Sequence, residues 1–157
     1  MPPQLLIDPA RYDPAKPVMT IDEIRRHNPQ RGEMEQLSGA LLFDPACGEI
    51  VTFKDVSDAE FWIRGHIPGR PLMPGVMLIE AAAQMCSLYY SLVAPSEKFI
   101  GFGGVDGVKF RGQVVPGDRL ILLGKAVEIR SRRAIFDTQG LVGDRLVFEG
   151  RITGLPL

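Results

Sequence analysis

Residues 72–94 read LMPGVMLIEAAAQMCSLYYSLVA and lie between proline-bearing turns. The stretch is apolar nearly all round, which is the pattern of a buried helix. Pro74 suits the first turn of that helix, where its missing N–H costs nothing, and Pro95 marks the far end. About 18–20 residues at ~1.5 Å each make a rod of roughly 27–30 Å, long enough to cross a small domain. The same length and apolarity suit a membrane span. Glu80 inside the stretch and strand-like flanks favour a core helix instead, and no membrane span is expected.

The polar residues of the rod are Glu80, Gln84, Ser87 and Ser91, at steps of 4, 3 and 4. Residues so spaced share one face of a helix. A carboxyl group on a buried helix is costly unless paired, hydrogen-bonded or protonated, and burial favours its acid form. That is the form a general acid needs. The line could equally reach solvent or a subunit boundary.

Around the rod the chain reads as turns and strands. Gly is 17 and Pro is 13 of 157 residues, so turns are frequent and a helix bundle fits poorly. Residues 1–19 carry Pro2, Pro3, Pro9, Pro14 and Pro17 and read as an extended arm without its own core. Thr20 to Glu23 has capping-box form and starts a short helix through about His27. Strands are expected over 36–44, 49–56, 98–103, 105–114, 118–130, 133–142 and 145–153. Val115-Pro116-Gly117-Asp118 predicts a type II turn. The last strands alternate apolar with polar residues, so antiparallel pairing over one core is expected. Residues 20–157 thus form a single domain.

Charge and cysteines narrow the function. A net charge of −1 gives no global basic field for nucleic acid. Cys47 and Cys86 lack metal-ligand spacing and read as two reduced core thiols. No basic-then-apolar leader opens the chain, so a cytoplasmic protein is expected.

Upstream of the rod stands Phe61-Trp62-Ile63-Arg64-Gly65-His66-Ile67-Pro68-Gly69-Arg70-Pro71. Pro68 and Pro71 hold the residues before them extended, so the loop can present one imidazole firmly. Histidine is the side chain suited to proton transfer near neutral pH. His66 precedes Glu80 by 14 residues. The free N–H groups of the helix start, at Gly75, complete a set of base, acid and oxyanion donor.

The run from Gly65 to Gln84, GHIPGRPLMPGVMLIEAAAQ, resembles the signature of the (3R)-hydroxyacyl-acyl-carrier-protein dehydratases of the FabZ type. Phe110-Arg111 followed by Val114-Val115-Pro116-Gly117-Asp118 is similar to that family's later motif. The resemblance covers roughly residues 20–153. It implies an α+β hot-dog fold, a long central helix wrapped by a curved antiparallel sheet. It also implies that His66 and Glu80 are catalytic, that the Gly75 N–H holds the thioester carbonyl, and that Gln84 orients the site. No metal or other cofactor is implied. The reaction implied is a hydro-lyase step of fatty acid biosynthesis, in which (3R)-hydroxyacyl thioesters lose water to give trans-2-enoyl thioesters. In the resembled family the two catalytic groups come from different subunits of a homodimer, and trimers of dimers are common. Carrier proteins are acidic, so Arg64, Arg70, Lys109, Arg111, Arg132 and Arg133 are candidate docking residues for the acyl carrier.

Two departures stand out. Where the family has a His-Arg-Tyr-Pro-Phe stretch, this chain has Asn28-Pro29-Gln30-Arg31-Gly32-Glu33-Met34-Glu35, and Ile67 replaces the usual Phe. The alternatives to a dehydratase are a hot-dog thioesterase, which does not need the His66 loop, and a non-catalytic acyl- or carrier-binding module.

Overall fold

In a computed structural model, residues 2–95 and 99–157 are described. A two-residue strand, β1 (Met19–Thr20), leads into a short helix, α1 (Ile21–Arg25). The Thr20 hydroxyl accepts from the Glu23 amide while the Glu23 carboxylate accepts from the Thr20 amide, the reciprocal cap expected. The helix ends two residues before His27. Strands β2 (Gly39–Asp44) and β3 (Glu49–Asp55) follow, then the long helix α2 (Gly75–Val93). Strands β4 (Ile100–Phe110), β5 (Arg119–Arg130), β6 (Arg133–Val142) and β7 (Arg145–Pro156) complete the chain. Pro74 is the N-cap of α2 rather than a residue of its first turn.

The seven strands form one sheet in the order β1-β2-β3-β5-β6-β7-β4, and every neighbouring pair is antiparallel. Helix α2 lies against β3 to β7. This is the hot-dog arrangement. By length and apolarity α2 could cross a membrane, yet Leu78, Ala81, Ala82, Met85 and Leu88 are buried in the protein's own core.

Alternation along the strands separates two apolar clusters. Ile50, Leu120 and Leu122 face α2, whereas Val51, Phe53, Ile121 and Leu123 face the opposite side. The N-terminal arm covers that second face. Ile7 is 1% exposed and sits in the outer cluster with Leu41, Val51 and Leu141. The Gln139 amide donates to the Gln4 carbonyl at 3.0 Å and accepts from the Leu6 amide at 2.8 Å. Arg11 reaches Asp44 at 2.7 Å and Glu49 at 2.6 Å. The proline-rich arm has no core of its own, but it supplies part of the sheet's.

Three details differ from the sequence expectations. The two strands expected over 98–103 and 105–114 are one strand, β4, with register shifts between Phe102 and Gly104 and between Asp106 and Lys109. Glycines sit at both shifts, with Gly107 at φ +60°. Lys98 lies outside the described residues. Residues 111–114 leave the strand, and the Met73 amide donates to the Val114 carbonyl at 2.9 Å, tying this segment to the start of α2. Cys47 is exposed in the β2–β3 turn rather than a core thiol, while Cys86 is buried. The turn at Val115–Asp118 takes the expected form, with Gly117 at φ +94° and the Asp118 amide bonded to the Val115 carbonyl at 3.1 Å.

Candidate active site

The polar line of α2 divides in two. Glu80, Gln84 and Ser87 line a cavity of about 230 Å³, together with Gln30, Phe136 and Ile152. Ser91 lies beyond it and hydrogen-bonds His27 Nδ1 at 3.0 Å. The cavity runs between α2 and the ends of β4, β6 and β7, and its surface is mostly apolar. Burial pushes the Cys86 thiol at its wall well above the usual thiol range.

Glu80 is half-buried rather than fully buried as the apolar rod suggested. Its Oε1 accepts from Gln84 Nε2 at 2.9 Å. The same nitrogen donates to the Met34 carbonyl at 2.6 Å, and Gln84 Oε1 accepts from the Gln36 amide at 2.9 Å. Asn28 Nδ2 donates to the Gln84 carbonyl at 3.0 Å. The segment from Asn28 to Gln36 is therefore a strap that fixes Gln84, and Gln84 in turn fixes Glu80. The strap's polar composition registers in the sequence as a departure from the resembled family. The contacts that explain it do not.

His66 sits in the exposed turn before α2 and is not among the residues lining the Glu80 cavity. Its amide bonds to the Trp62 carbonyl at 3.0 Å, and Trp62 is buried. The turn is anchored further back by an ion pair that sequence reasoning missed. Lys54 Nζ meets Glu60 Oε1 at 3.0 Å with both side chains almost enclosed. Glu60 Oε2 also accepts from the Ser57 amide at 2.9 Å. Burial works to raise the Glu60 carboxyl, but the Ser57 amide, Lys54 and the Ser57 hydroxyl together hold it below the usual carboxylate range.

At the start of α2, the Met77 and Leu78 amides bond to the Pro74 carbonyl. The amides of Gly75 and Val76 have no backbone partner among the described residues. A Cβ at position 75 would lie 2.8 Å from Phe110 Cζ, so only glycine lets that ring rest against the helix start. Within one chain the structure thus joins Glu80 with Gln84, and Gly75 with Phe110, but leaves His66 outside the cavity.

The expected docking residues Arg64, Arg70, Lys109, Arg111, Arg132 and Arg133 are all exposed. Arg111 pairs with Glu149 and Arg133 with Glu128, so those two charges are partly neutralised. Asp44, Cys47 and Glu49 place potential metal-ligating atoms within 4.8 Å of one another, but Arg11 already pairs with both carboxylates and Lys125 with Glu49. That cluster shares no residue with the cavity.

Residues 16–151 match the FabA-like domain family. The chain belongs to that family. A 3-hydroxyacyl-[acyl-carrier-protein] dehydratase FabZ from Streptococcus agalactiae is 36% identical over 137 residues, covering 87% of this chain and 96% of the relative. The FabZ of Streptococcus sanguinis is 40% identical over 106 residues, 67% of this chain and 76% of its own. Among solved structures, the dehydratase heterocomplex ApeI:P from Xenorhabdus doucetiae superposes with a TM-score of 0.74 at 14% identity, over 85% of this chain and 90% of that one. A mutant thioesterase from Pseudomonas aeruginosa superposes at 0.58 with 17% identity, over 76% and 81%. At these identities the structural likenesses establish the hot-dog fold. Membership of the FabA-like family rests on the sequence match.

Proposed function

We propose that this FabA-like protein is a 3-hydroxyacyl-[acyl-carrier-protein] dehydratase of fatty acid biosynthesis. The observation that carries the reading is Glu80: a carboxyl group facing a mostly apolar cavity, with one oxygen held by Gln84. The acyl chain lies in the cavity along α2. The thioester carbonyl accepts from the free amides at the start of α2, which stabilise the enolate-like charge as the α-proton leaves. His66 takes that proton. The electron pair of the C2–H bond forms the C2–C3 double bond, the C3–O bond breaks, and Glu80 protonates the departing oxygen. Water leaves, with the base protonated and the acid ionised.

The machinery is complete in a homodimer. Strand β4 is the long edge strand of the sheet, opposite the two-residue β1 edge, and carries exposed Val105, Phe102 and Phe110. Such an edge favours pairing with a second copy, and the shared site then takes His66 from the partner subunit. Arg64, Arg70, Lys109 and Arg132, which form no ion pair among the described residues, supply positive charge for an acidic carrier. Two unbridged cysteines suit a reducing, cytoplasmic setting.

The test is hydration of a crotonyl thioester by the whole protein. His66→Ala and Glu80→Gln should each lower the rate by at least about 10²-fold, the usual contribution of a general acid or base, with unchanged circular dichroism. Full activity in both variants would rule out the assigned roles. Release of free thiol from a saturated acyl thioester would identify a thioesterase instead.

A further inference from the structure

Gln30 lines the same cavity as Glu80 and Gln84. Its side-chain oxygen Oε1 is buried and has no hydrogen-bond partner among the described residues. The backbone around it is firmly held. Arg31 Nη1 donates to the Asn28 and Gln30 carbonyls, each at 2.7 Å, and Arg31 Nη2 donates to the Arg25 carbonyl at 2.8 Å. Asn28 pins the same segment to α2 through the Gln84 carbonyl. The amide of Gln30 is thus delivered to the cavity on a rigid support, and its acceptor is left unused. A buried acceptor without a donor is unfavourable, and such groups concentrate where a ligand completes them.

Resting on the dehydratase reading, we propose that Gln30 Oε1 accepts the hydrogen bond of the substrate's 3-hydroxyl and so positions the leaving group for Glu80. The chemistry selects this group. A thioester carbonyl can only accept, and an alkyl chain can do neither. The 3-hydroxyl must lie next to Glu80 to be protonated there, and its own O–H is the donor at that end of the acyl chain. With that hydrogen turned toward Gln30, an oxygen lone pair is free to face the acid. As C3–O breaks, the oxygen takes the Glu80 proton and keeps its original one. The bond to Gln30 strengthens while positive character builds on the departing water, so it favours the transition state over the ground state. Gln30 is a positioning residue that also reads the presence of the hydroxyl.

The experiment uses Gln30→Met, which removes both polar atoms at similar length, and Gln30→Glu, which keeps an acceptor. In a His66→Ala background, which blocks turnover, binding of 3-hydroxybutyryl-pantetheine is compared with butyryl-pantetheine. The hydroxyl preference should fall about tenfold in Gln30→Met, the worth of one hydrogen bond, and return in Gln30→Glu. With His66 intact, kcat for dehydration should fall in Gln30→Met while the affinity for butyryl-pantetheine holds. The melting temperature should not fall, because an unpaired acceptor has been removed. An unchanged hydroxyl preference overturns the proposal. So does equal weakening of both ligands, which would place Gln30 on the pantetheine arm. If the wild-type protein does not hydrate a crotonyl thioester, the dehydratase reading fails and this inference with it. Activity with an unchanged preference sinks the Gln30 role alone.

Discussion

Gln84 holds Glu80 by a single carboxylate oxygen, with Nε2 at 2.9 Å from Oε1, while its other amide hydrogen goes to the Met34 carbonyl at 2.6 Å. Because Gln84 Oε1 also accepts from the Gln36 amide, every polar atom of the side chain is committed and the amide cannot turn over. One oxygen of Glu80 is thereby reserved as an acceptor, and in the proposed mechanism the other carries the proton toward substrate.

Replacing Gln84 with Leu should therefore do two things. Losing a donor to a carboxylate is worth about 1.5–3 kcal/mol, so kcat for crotonyl-thioester hydration should drop roughly 10- to 100-fold with little change in KM. The buried Gln36 amide loses its acceptor, so the midpoint of thermal unfolding should also fall. A variant with wild-type kcat would show that Glu80 needs no such support.

How much of this was visible in the residues differs by feature. The span of α2, the capping box at Thr20 and the type II turn at Gly117 rest on local signals, and all three stand in the structure. The polar face of α2 was legible too, because Glu80, Gln84 and Ser87 obey helical spacing. What could not be read was contact between residues far apart in sequence. Asn28 and Gln36 meet Gln84 across about a third of the chain, and Lys54 meets Glu60 only because β3 and the following turn fold back together. Burial of Ile7 was hidden for a similar reason, since a proline-rich arm gives no periodic signal for the sheet face it covers.

Gly75 carries a second expected outcome. A methyl group there would lie within 3.0 Å of two Phe110 ring atoms. Phe110 is half exposed, so the ring can swing away and the fold survives. The amides at the helix start would then lose their apolar cover. Gly75→Ala should lower kcat/KM by about tenfold, less than the ~10²–10³ typical of deleting an oxyanion donor outright. In a Phe110→Ala background, where that cover is already gone, Gly75→Ala should cost little more, and a purely additive double variant would refute the coupling.

The Lys54–Glu60 pair makes stability depend on pH. The Glu60 carboxyl is held below the usual range, so the folded state binds its proton less readily than the unfolded chain. Its contribution is fully present above the unfolded value near ~4.3 and is lost as pH falls through the folded value. Glu60→Gln removes one partner of a nearly enclosed pair and leaves Lys54 uncompensated, at a cost of about 3 kcal/mol near neutral pH. Urea unfolding at pH 7 and at successively lower pH should show the gap between wild type and variant closing in acid. A gap that stays constant down the series would mean the pair contributes nothing specific to the ionised carboxylate.

Ile7 separates stability from chemistry. It is 1% exposed in the outer cluster, on the face of the sheet opposite α2, and it shares no contact surface with the Glu80 cavity. Truncating a fully buried Ile to Ala costs about 2–5 kcal/mol through lost apolar burial and the cavity left behind. The arm is also anchored by Gln139 and Arg11, so the strand it covers stays shielded and the site on the other face keeps its geometry. Ile7→Ala should lower the unfolding free energy from urea titration by an amount in that range while kcat at low temperature stays at the wild-type value. A loss of kcat without a loss of stability would show that the arm reaches the active site through the sheet, and the division between the two faces would have to be abandoned.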